Sequence, residues 1–316
     1  MKKIAVLTSG GDAPGMNACI RAIVRSGTRQ GLEIYASKQG FKGLIENNFI
    51  KLDGKSVGNI IQTGGTIIKT SRCREFETAD GFKKAVKNLK DNNFDYLIVI
   101  GGDGSFGGAE KLSKFINVIA IPGTIDNDLG FTDRTIGFDT AVNTIVSLMN
   151  NIRDTSSSHE RLSIVEVMGA NCGDIALHSG ISSGAEIILV PEIKISENDI
   201  LKEIKNIYDA GRRSIIVVLA EGVCSAEHLQ KIVKEKLQID GRAINIGHIQ
   251  RGGSPTSNDR IFATMLGIKA IENILACNRN IALGIKNGEY IAIDLKSAIK
   301  QKKKFNTELY NSNKLL

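Results

Sequence analysis

Apolar positions along this chain fall into two alternating kinds of segment. Short β-branched runs that are apolar nearly throughout, such as Leu97-Ile98-Val99-Ile100 and Ile215-Ile216-Val217-Val218, alternate with longer amphipathic stretches. A run that is apolar on both faces of the pleat predicts a strand buried on both sides. Its alternation with amphipathic helices predicts a parallel sheet covered by helices. On this pattern strands are expected at residues 4–7, 33–36, 96–100, 118–121, 162–167, 187–190, 215–219 and 243–246. Helices are expected at 16–30, 81–92, 107–115, 139–153, 174–182, 197–210, 226–238 and 258–276. No internal repeat at a solenoid period and no low-complexity linker interrupts the rhythm. A domain boundary is therefore expected at the polar stretch 153–158 or the approach to it at 137–139. In open α/β sheets ligands sit beyond the carboxyl ends of the strands, so the strand-to-helix turns are where chemistry is sought.

Composition narrows this only in part. At roughly 150 residues per domain, 316 residues suggest about two domains. With 42% hydrophobic and 24% charged residues, disordered, collagen-like and coiled-coil readings fall away. The longest apolar run, near 215–220, is strand-sized and well short of the ~18 residues of a spanning helix, so no membrane is expected. The apolar stretch 4–7 is too short for a signal peptide. Five cysteines, Cys19, Cys73, Cys172, Cys224 and Cys277, are scattered without a C-x-x-C pair, against a zinc site or disulfide framework. That usage fits a reduced cytoplasm. The net charge of +7 admits either nucleic acid or phosphate ligands. No basic patch is interleaved with aromatics, so nucleic acid ranks last. The lysines at 300, 302, 303 and 304 read as a solvated tail.

Two predicted strands end in the same chemistry. The first runs into Thr8-Ser9-Gly10-Gly11-Asp12 and the third into Gly101-Gly102-Asp103-Gly104-Ser105, each before a helix. Paired glycines let backbone amides approach a ligand, and the helix N-terminus adds unpaired N–H groups, so both turns suit phosphate. A carboxylate beside a phosphate cradle is repulsive unless a cation lies between, so Asp103 suggests Mg²⁺ bridged to a polyphosphate. The same residues, Gly102, Gly104 and Gly107, match G-x-G-x-x-G, with Asp126 at the distance of a ribose contact. A dinucleotide dehydrogenase is thus a formal competitor. The next turn, Pro122-Gly123-Thr124-Ile125-Asp126-Asn127-Asp128, carries two carboxylates two residues apart, pointing the same way in extended chain. One can accept a hydroxyl proton while the other orients substrate or metal; Asx-turn chemistry is the plain alternative. His248 and Arg251 stand three apart on a Gly-rich turn, and Arg161 and Arg242 each precede a strand. Guanidinium forks of this kind suit a phosphorylated substrate. Arg21, Arg25 and Arg29 lie opposite the apolar face of their helix, by default a solvated stripe. Together these residues describe phosphoryl transfer from a Mg–polyphosphate to a hydroxyl of a phosphorylated small molecule.

Taken together, residues 8–17 (TSGGDAPGMN), 101–105 (GGDGS), 122–128 (PGTIDND), 153–159 (RDTSSSH) and 247–255 (GHIQRGGSP) resemble the bacterial ATP-dependent 6-phosphofructokinases (the phosphofructokinase A family). Order, spacing and length agree over essentially the whole chain. The resemblance implies an α/β fold of two doubly wound domains with mainly parallel sheets. Residues 1–138 with 252–300 would form the larger, ATP-binding domain, and 139–251 the smaller, sugar-phosphate and effector domain; 301–316 would be a tail. It implies transfer of the γ-phosphoryl of Mg·ATP to the 1-hydroxyl of fructose 6-phosphate, in a cytoplasmic homotetramer under allosteric control. By resemblance, Gly11, Arg72, Cys73 and Gly102, Asp103, Gly104 and Ser105 would hold ATP, with Asp103 on Mg²⁺. Asp126 would be the base, supported by Thr124 and Asp128. Ile125, Met168, Gly169, Glu221, His248 and Arg251 would line the sugar-phosphate site, with Arg161 and Arg242 reaching it from a neighbouring subunit. Arg21, Arg25, Arg153, Gly184, Glu186, Arg212 and Arg213 would bind ADP or phosphoenolpyruvate as effectors, which replaces the solvated-stripe reading of that helix.

The chain departs from the family pattern at several places. Pyrophosphate-using relatives carry Asp and Lys where this chain has Gly104 and Gly123, so ATP is the expected donor. Ala170 stands where the family places an arginine in M-G-R-x-x-G. Cys73, Glu77 and Phe82 replace the aromatic and basic residues usual around adenine, and Gly54 replaces a basic residue of the effector site. A pyrophosphate-dependent or other sugar-phosphate kinase of the same fold, and a non-catalytic phosphate-ligand sensor, are the alternatives.

Overall fold

The computed structural model describes residues 1–315, in two compact units. The first contains Met1–Thr140 and Arg251–Lys303; the second contains Ala141–Gln250 and the C-terminal segment from Lys304. In chain order the first unit opens with β1 (Lys3–Ser9), α1 (Met16–Arg29), β2 (Glu33–Ser37), α2 (Phe41–Ile45), β3 (Phe49–Leu52), α3 (Ala79–Asp91), β4 (Tyr96–Gly101), α4 (Asp103–Leu112), β5 (Asn117–Thr124) and β6 (Ile136–Gly137). Helix α5 (Phe138–His159) begins there and runs on into the second unit, which holds β7 (Leu162–Val167), α6 (Asp174–Ser182), β8 (Ile187–Leu189), α7 (Glu197–Asp209), β9 (Ile215–Ala220), α8 (Ala226–Leu237) and β10 (Gly241–Asn245). The chain then returns to the first unit as α9 (Ser257–Leu275), β11 (Ile281–Lys286), β12 (Glu289–Asp294) and α10 (Leu295–Lys300), and ends with α11 (Thr307–Ser312).

The first unit is built on an eight-stranded sheet in the order β12-β11-β5-β4-β1-β2-β3, with β6 paired to β5. It is parallel except for β3 and β12, which run antiparallel at the two edges. Every residue of β4 is buried, and so are Ile4–Ser9 of β1, because helices cover both faces. One face packs under Phe41, Phe76, Leu89, Phe106 and Leu112. On α1 and α9, Gly267 permits close approach: a β-carbon there would stand 2.7 Å from both the Ala22 β-carbon and the Cys19 carbonyl. The second unit has a four-stranded parallel sheet, β10-β7-β9-β8, over a core that includes Ile164, Ile204, Val217 and Leu229.

All eight expected strands are present, but four were not anticipated: β3, β6, β11 and β12. The expected helix at 107–115 instead begins at Asp103, which makes that aspartate the first residue of α4 rather than a turn residue. Residues 153–158, expected as a polar boundary, lie inside α5. Nor is the C-terminal segment a free tail. Lys302 bridges to Leu129 across an antiparallel pair, and the Lys303 ammonium donates to the Asp133 carbonyl at 3.4 Å. In the second unit α11 buries Tyr310. The last residue of that expected tail, Leu316, lies outside the described residues.

Candidate active site

Strand order reverses between β1 and β4, which pair through Ser9↔Gly101. The two glycine turns therefore open side by side beyond the carboxyl ends of the strands, with the end of β5 next to them through Gly101↔Pro122. They border a cavity of about 720 Å³. Gly11, Arg72, Cys73, Gly102, Asp103, Gly104, Ser105, Thr124, Ile125, Asp126, Asp128 and Arg251, all named from the sequence, line it.

Close approach bears on two of these glycines. A β-carbon at Gly11 would stand 2.3 Å from Arg251 Nη2, and one at Gly101 would stand 2.4 Å from Ser105 Oγ. Arg251 is fixed from the other side, its Nε donating to Asp12 Oδ1 at 3.1 Å. Asp103, Gly104 and Ser105 form the first turn of α4, where the Ser105 N–H donates to the Gly102 carbonyl at 3.0 Å and the helix dipole favours an anion. A β-carbon on Gly104 meets nothing within 4 Å, so this position is open. Gly123 behaves differently. It does not border the cavity, and a β-carbon there would meet Ile100 at 2.9 Å and Met16 at 3.1 Å. Of the two donor-choice positions, only Gly104 leaves room in the cavity.

The paired carboxylates reach the cavity by a different route from the expected extended one. The chain leaves β5 at Thr124 and turns through Asn127 with φ +53°. Thr124 closes this turn: its Oγ1 accepts the Asp126 N–H at 3.2 Å and lies 3.4 Å from Asp126 Oδ2. The Thr124 carbonyl in turn accepts the Thr135 hydroxyl at 2.6 Å. Asp128 has a buried Oδ1 with no hydrogen-bond partner. Burial, followed by the neighbouring Asp126 and then Asp103, pushes its pKa up to about 6. Negative charge thus accumulates beside a phosphate-suited turn. Among the described residues, no three His, Cys, Asp or Glu side chains are grouped to chelate an ion by themselves. The donor set fits a divalent cation that brings its own phosphate ligands.

Away from the carboxylates, the wall contains Phe41 and Phe76, stacked at 4.2 Å, with Cys73 and Glu77 beside them. Phe82 is not part of this wall; it packs on Phe76 and Phe115. Arg21 and Arg25 are half-buried on α1 rather than fully solvated, and Arg25 Nε is buried without a hydrogen-bond partner.

In the second unit the named residues fall into separate groups. Glu186, with its side chain only 4% exposed, takes Arg212 at 3.3 Å, Arg153 at 3.6 Å and the Ile216 N–H at 2.6 Å. Arg153 also donates to the Ser183 and Gly184 carbonyls. Arg213 stands over the Tyr208 ring at 4.0 Å. At the carboxyl end of β7, the Gly169 N–H donates to Glu221 at 3.3 Å and the Met168 N–H to Gln250 at 3.1 Å. His248 is exposed in a short 3-10 turn. Arg161, 4.0 Å from Asp240, and Arg242 lie at the opposite, amino end of this sheet. The chain does not itself bring them to Met168 and Glu221. Asp12, Thr135 and Gln250 were not anticipated as site residues. Asp12 and Gln250 sit inside quoted motifs, but Thr135 had no local signal.

The phosphofructokinase family profile matches residues 3–274. The ATP-dependent 6-phosphofructokinase of Clostridioides difficile (strain 630) is 52% identical over 317 residues, spanning 100% of this chain and 99% of that one. Among solved structures, phosphofructokinase from Saccharomyces cerevisiae superposes with a TM-score of 0.91 at 30% identity, over 99% of this chain; the chain spans 50% of the yeast one. A pyrophosphate-dependent phosphofructokinase from Marinobacter aquaeolei, with a TM-score of 0.88, 98% of this chain and 86% of that one covered, shares the fold at 23% identity. With two mainly parallel sheets, a full-length relative at this identity and a profile match over most of its length, the chain belongs to the phosphofructokinase family.

Proposed function

We propose that this chain is an ATP-dependent 6-phosphofructokinase, transferring the γ-phosphoryl of Mg·ATP to the 1-hydroxyl of fructose 6-phosphate to give fructose 1,6-bisphosphate in cytoplasmic glycolysis. The observation that carries the reading is the convergence of Asp103, Asp126 and Asp128 on a cavity between two glycine turns. It occurs in a chain that matches an ATP-dependent relative from end to end.

Each residue has a role in this reading. Gly11 and Gly102 to Gly104 cradle the polyphosphate through backbone N–H groups, and Ser105 completes that first turn of α4. Arg72 and Cys73 face the nucleoside. Asp103 would hold Mg²⁺, which when bound neutralises charge on the phosphates. Asp126 accepts the proton of the 1-hydroxyl as that oxygen attacks phosphorus, and Thr124 keeps the carboxylate aimed through its hydroxyl. Asp128 holds negative charge beside it. Gly104 leaves the space a nucleotide needs, which supports ATP over pyrophosphate. Ile125, Met168, Gly169, Glu221, His248 and Arg251 are assigned to sugar-phosphate recognition, with Arg161 and Arg242 serving a neighbouring subunit of a homotetramer. The Glu186–Arg153–Arg212 cluster, with Gly184, Arg213, Arg21 and Arg25, is assigned to an anionic effector, ADP or phosphoenolpyruvate.

The test is initial rate against fructose 6-phosphate with Mg·ATP, Mg·GTP or pyrophosphate. Turnover with Mg·ATP is expected. Turnover with pyrophosphate alone would overturn the donor assignment. Absence of turnover with all three, in folded protein, would leave a ligand sensor, with Ala170 the first residue to suspect.

A further inference from the structure

Asp259, the third residue of α9, is 2% exposed, and no lysine, arginine or histidine pairs with it among the described residues. Burial raises its pKa. Three donors hold its carboxylate: Oδ1 accepts the Gly137 N–H at 3.0 Å, and Oδ2 accepts both the Thr140 N–H at 2.8 Å and the Thr140 hydroxyl at 2.5 Å. Its own helix does not need this carboxylate as a cap. Thr256 already serves there, its Oγ1 accepting the Asp259 N–H at 3.2 Å. The carboxylate is instead committed to another segment, 119 to 122 residues away in sequence.

That segment is β6 and the start of α5. With only two residues, β6 has little pairing of its own, and it is anchored on one side by Asp259 and on the other by β5, through Thr124↔Gly137. Gly137 has φ +102°, and a β-carbon there would stand 2.7 Å from Ala13, so the segment has little freedom to settle elsewhere. Thr135, directly before β6, donates to the Thr124 carbonyl, and Thr124 in turn fixes Asp126. We propose that Asp259 is a positioning residue for the phosphoryl transfer: through Gly137 and Thr140 it holds β6 against Thr124, and so sets the aim of Asp126. This rests on the reading of Asp126 as the base.

The test compares Asp259→Asn, Thr140→Val and Thr140→Ser with Asp126→Asn, measuring kcat, both KM values and Tm. Asp259→Asn keeps the volume but replaces one acceptor oxygen with a donor that faces an N–H. A misplaced base loses rate rather than substrate, so kcat should fall about tenfold to a hundredfold. KM for ATP and for fructose 6-phosphate should stay within about twofold. Thr140→Val should show the same split and Thr140→Ser should restore kcat; this pair decides the question if Asp259→Asn does not fold. A lower Tm with full kcat in the Asp259 and Thr140→Val variants would overturn the positioning role while leaving Asp126 in place. If Asp126→Asn itself retains turnover, the underlying reading fails, whatever the Asp259 variant does.

Discussion

Asp128 illustrates how a residue can serve a site at the expense of the fold. Its carboxyl pKa is raised to about 6 by burial and by Asp126 and Asp103, whereas an unfolded aspartate titrates near about 4. The folded protein therefore holds that proton more tightly than the unfolded chain. This contribution to stability is fully present below about pH 4 and is lost as pH rises through about 6. Asp128→Asn removes the buried charge. In ligand-free protein it is expected to raise unfolding stability at pH 8 by about 2–3 kcal/mol, with the gain vanishing near pH 4. Urea unfolding midpoints at pH 4, 6 and 8 would check this, and an unchanged or lower midpoint at pH 8 would mean the folded state already compensates the charge. A stabilising change at this cavity-lining carboxylate would be the pattern of a site that trades stability for function.

At the scale of elements, the packing of α1 on α9 matters because α1 follows the first glycine turn and α9 carries Asp259. Gly267→Ala would place a β-carbon 2.7 Å from a backbone carbonyl of α1. Alanine gains up to about 1 kcal/mol in helix propensity, but overpacking against backbone costs about 1–3 kcal/mol. A net loss in unfolding stability, with reduced kcat, is therefore expected; a net gain would show that the two helices separate easily. The elements most legible in the sequence were those with the simplest burial. Strands such as β4 and β9 are apolar on both faces and were read directly, whereas β3 and β12 are antiparallel edge strands with mostly exposed or half-exposed residues. The start of α4 was missed because Asp103, Gly104 and Ser105 read as part of the glycine turn, and the end of α5 because Thr155 and Ser156–Ser158 are weak helix formers. The same limit applies to the site. Asp103, Asp126 and Asp128 stand next to glycine turns whose chemistry is local. Asp259 and Gln250 act on backbone groups 122 and 82 residues away, and no local pattern announces such partners.

For the whole molecule, the placement of Arg161 and Arg242 at the amino end of the second sheet, away from Met168 and Glu221, bears on assembly. If they complete a neighbour's sugar-phosphate site, activity depends on association. Specific activity should then fall on dilution in parallel with the loss of tetramer seen by light scattering, and fructose 6-phosphate should slow that loss. Constant specific activity in a population shown to be monomeric would contradict the shared site. The central claim, that Asp126 takes the proton of the sugar hydroxyl, is tested most directly by Asp126→Asn, with kcat measured beside equilibrium binding of fructose 6-phosphate. The account predicts a fall of about two to four decades in kcat, the range of general-base catalysis, with binding of fructose 6-phosphate changed by less than about threefold. A near-normal kcat in the Asn variant would contradict it.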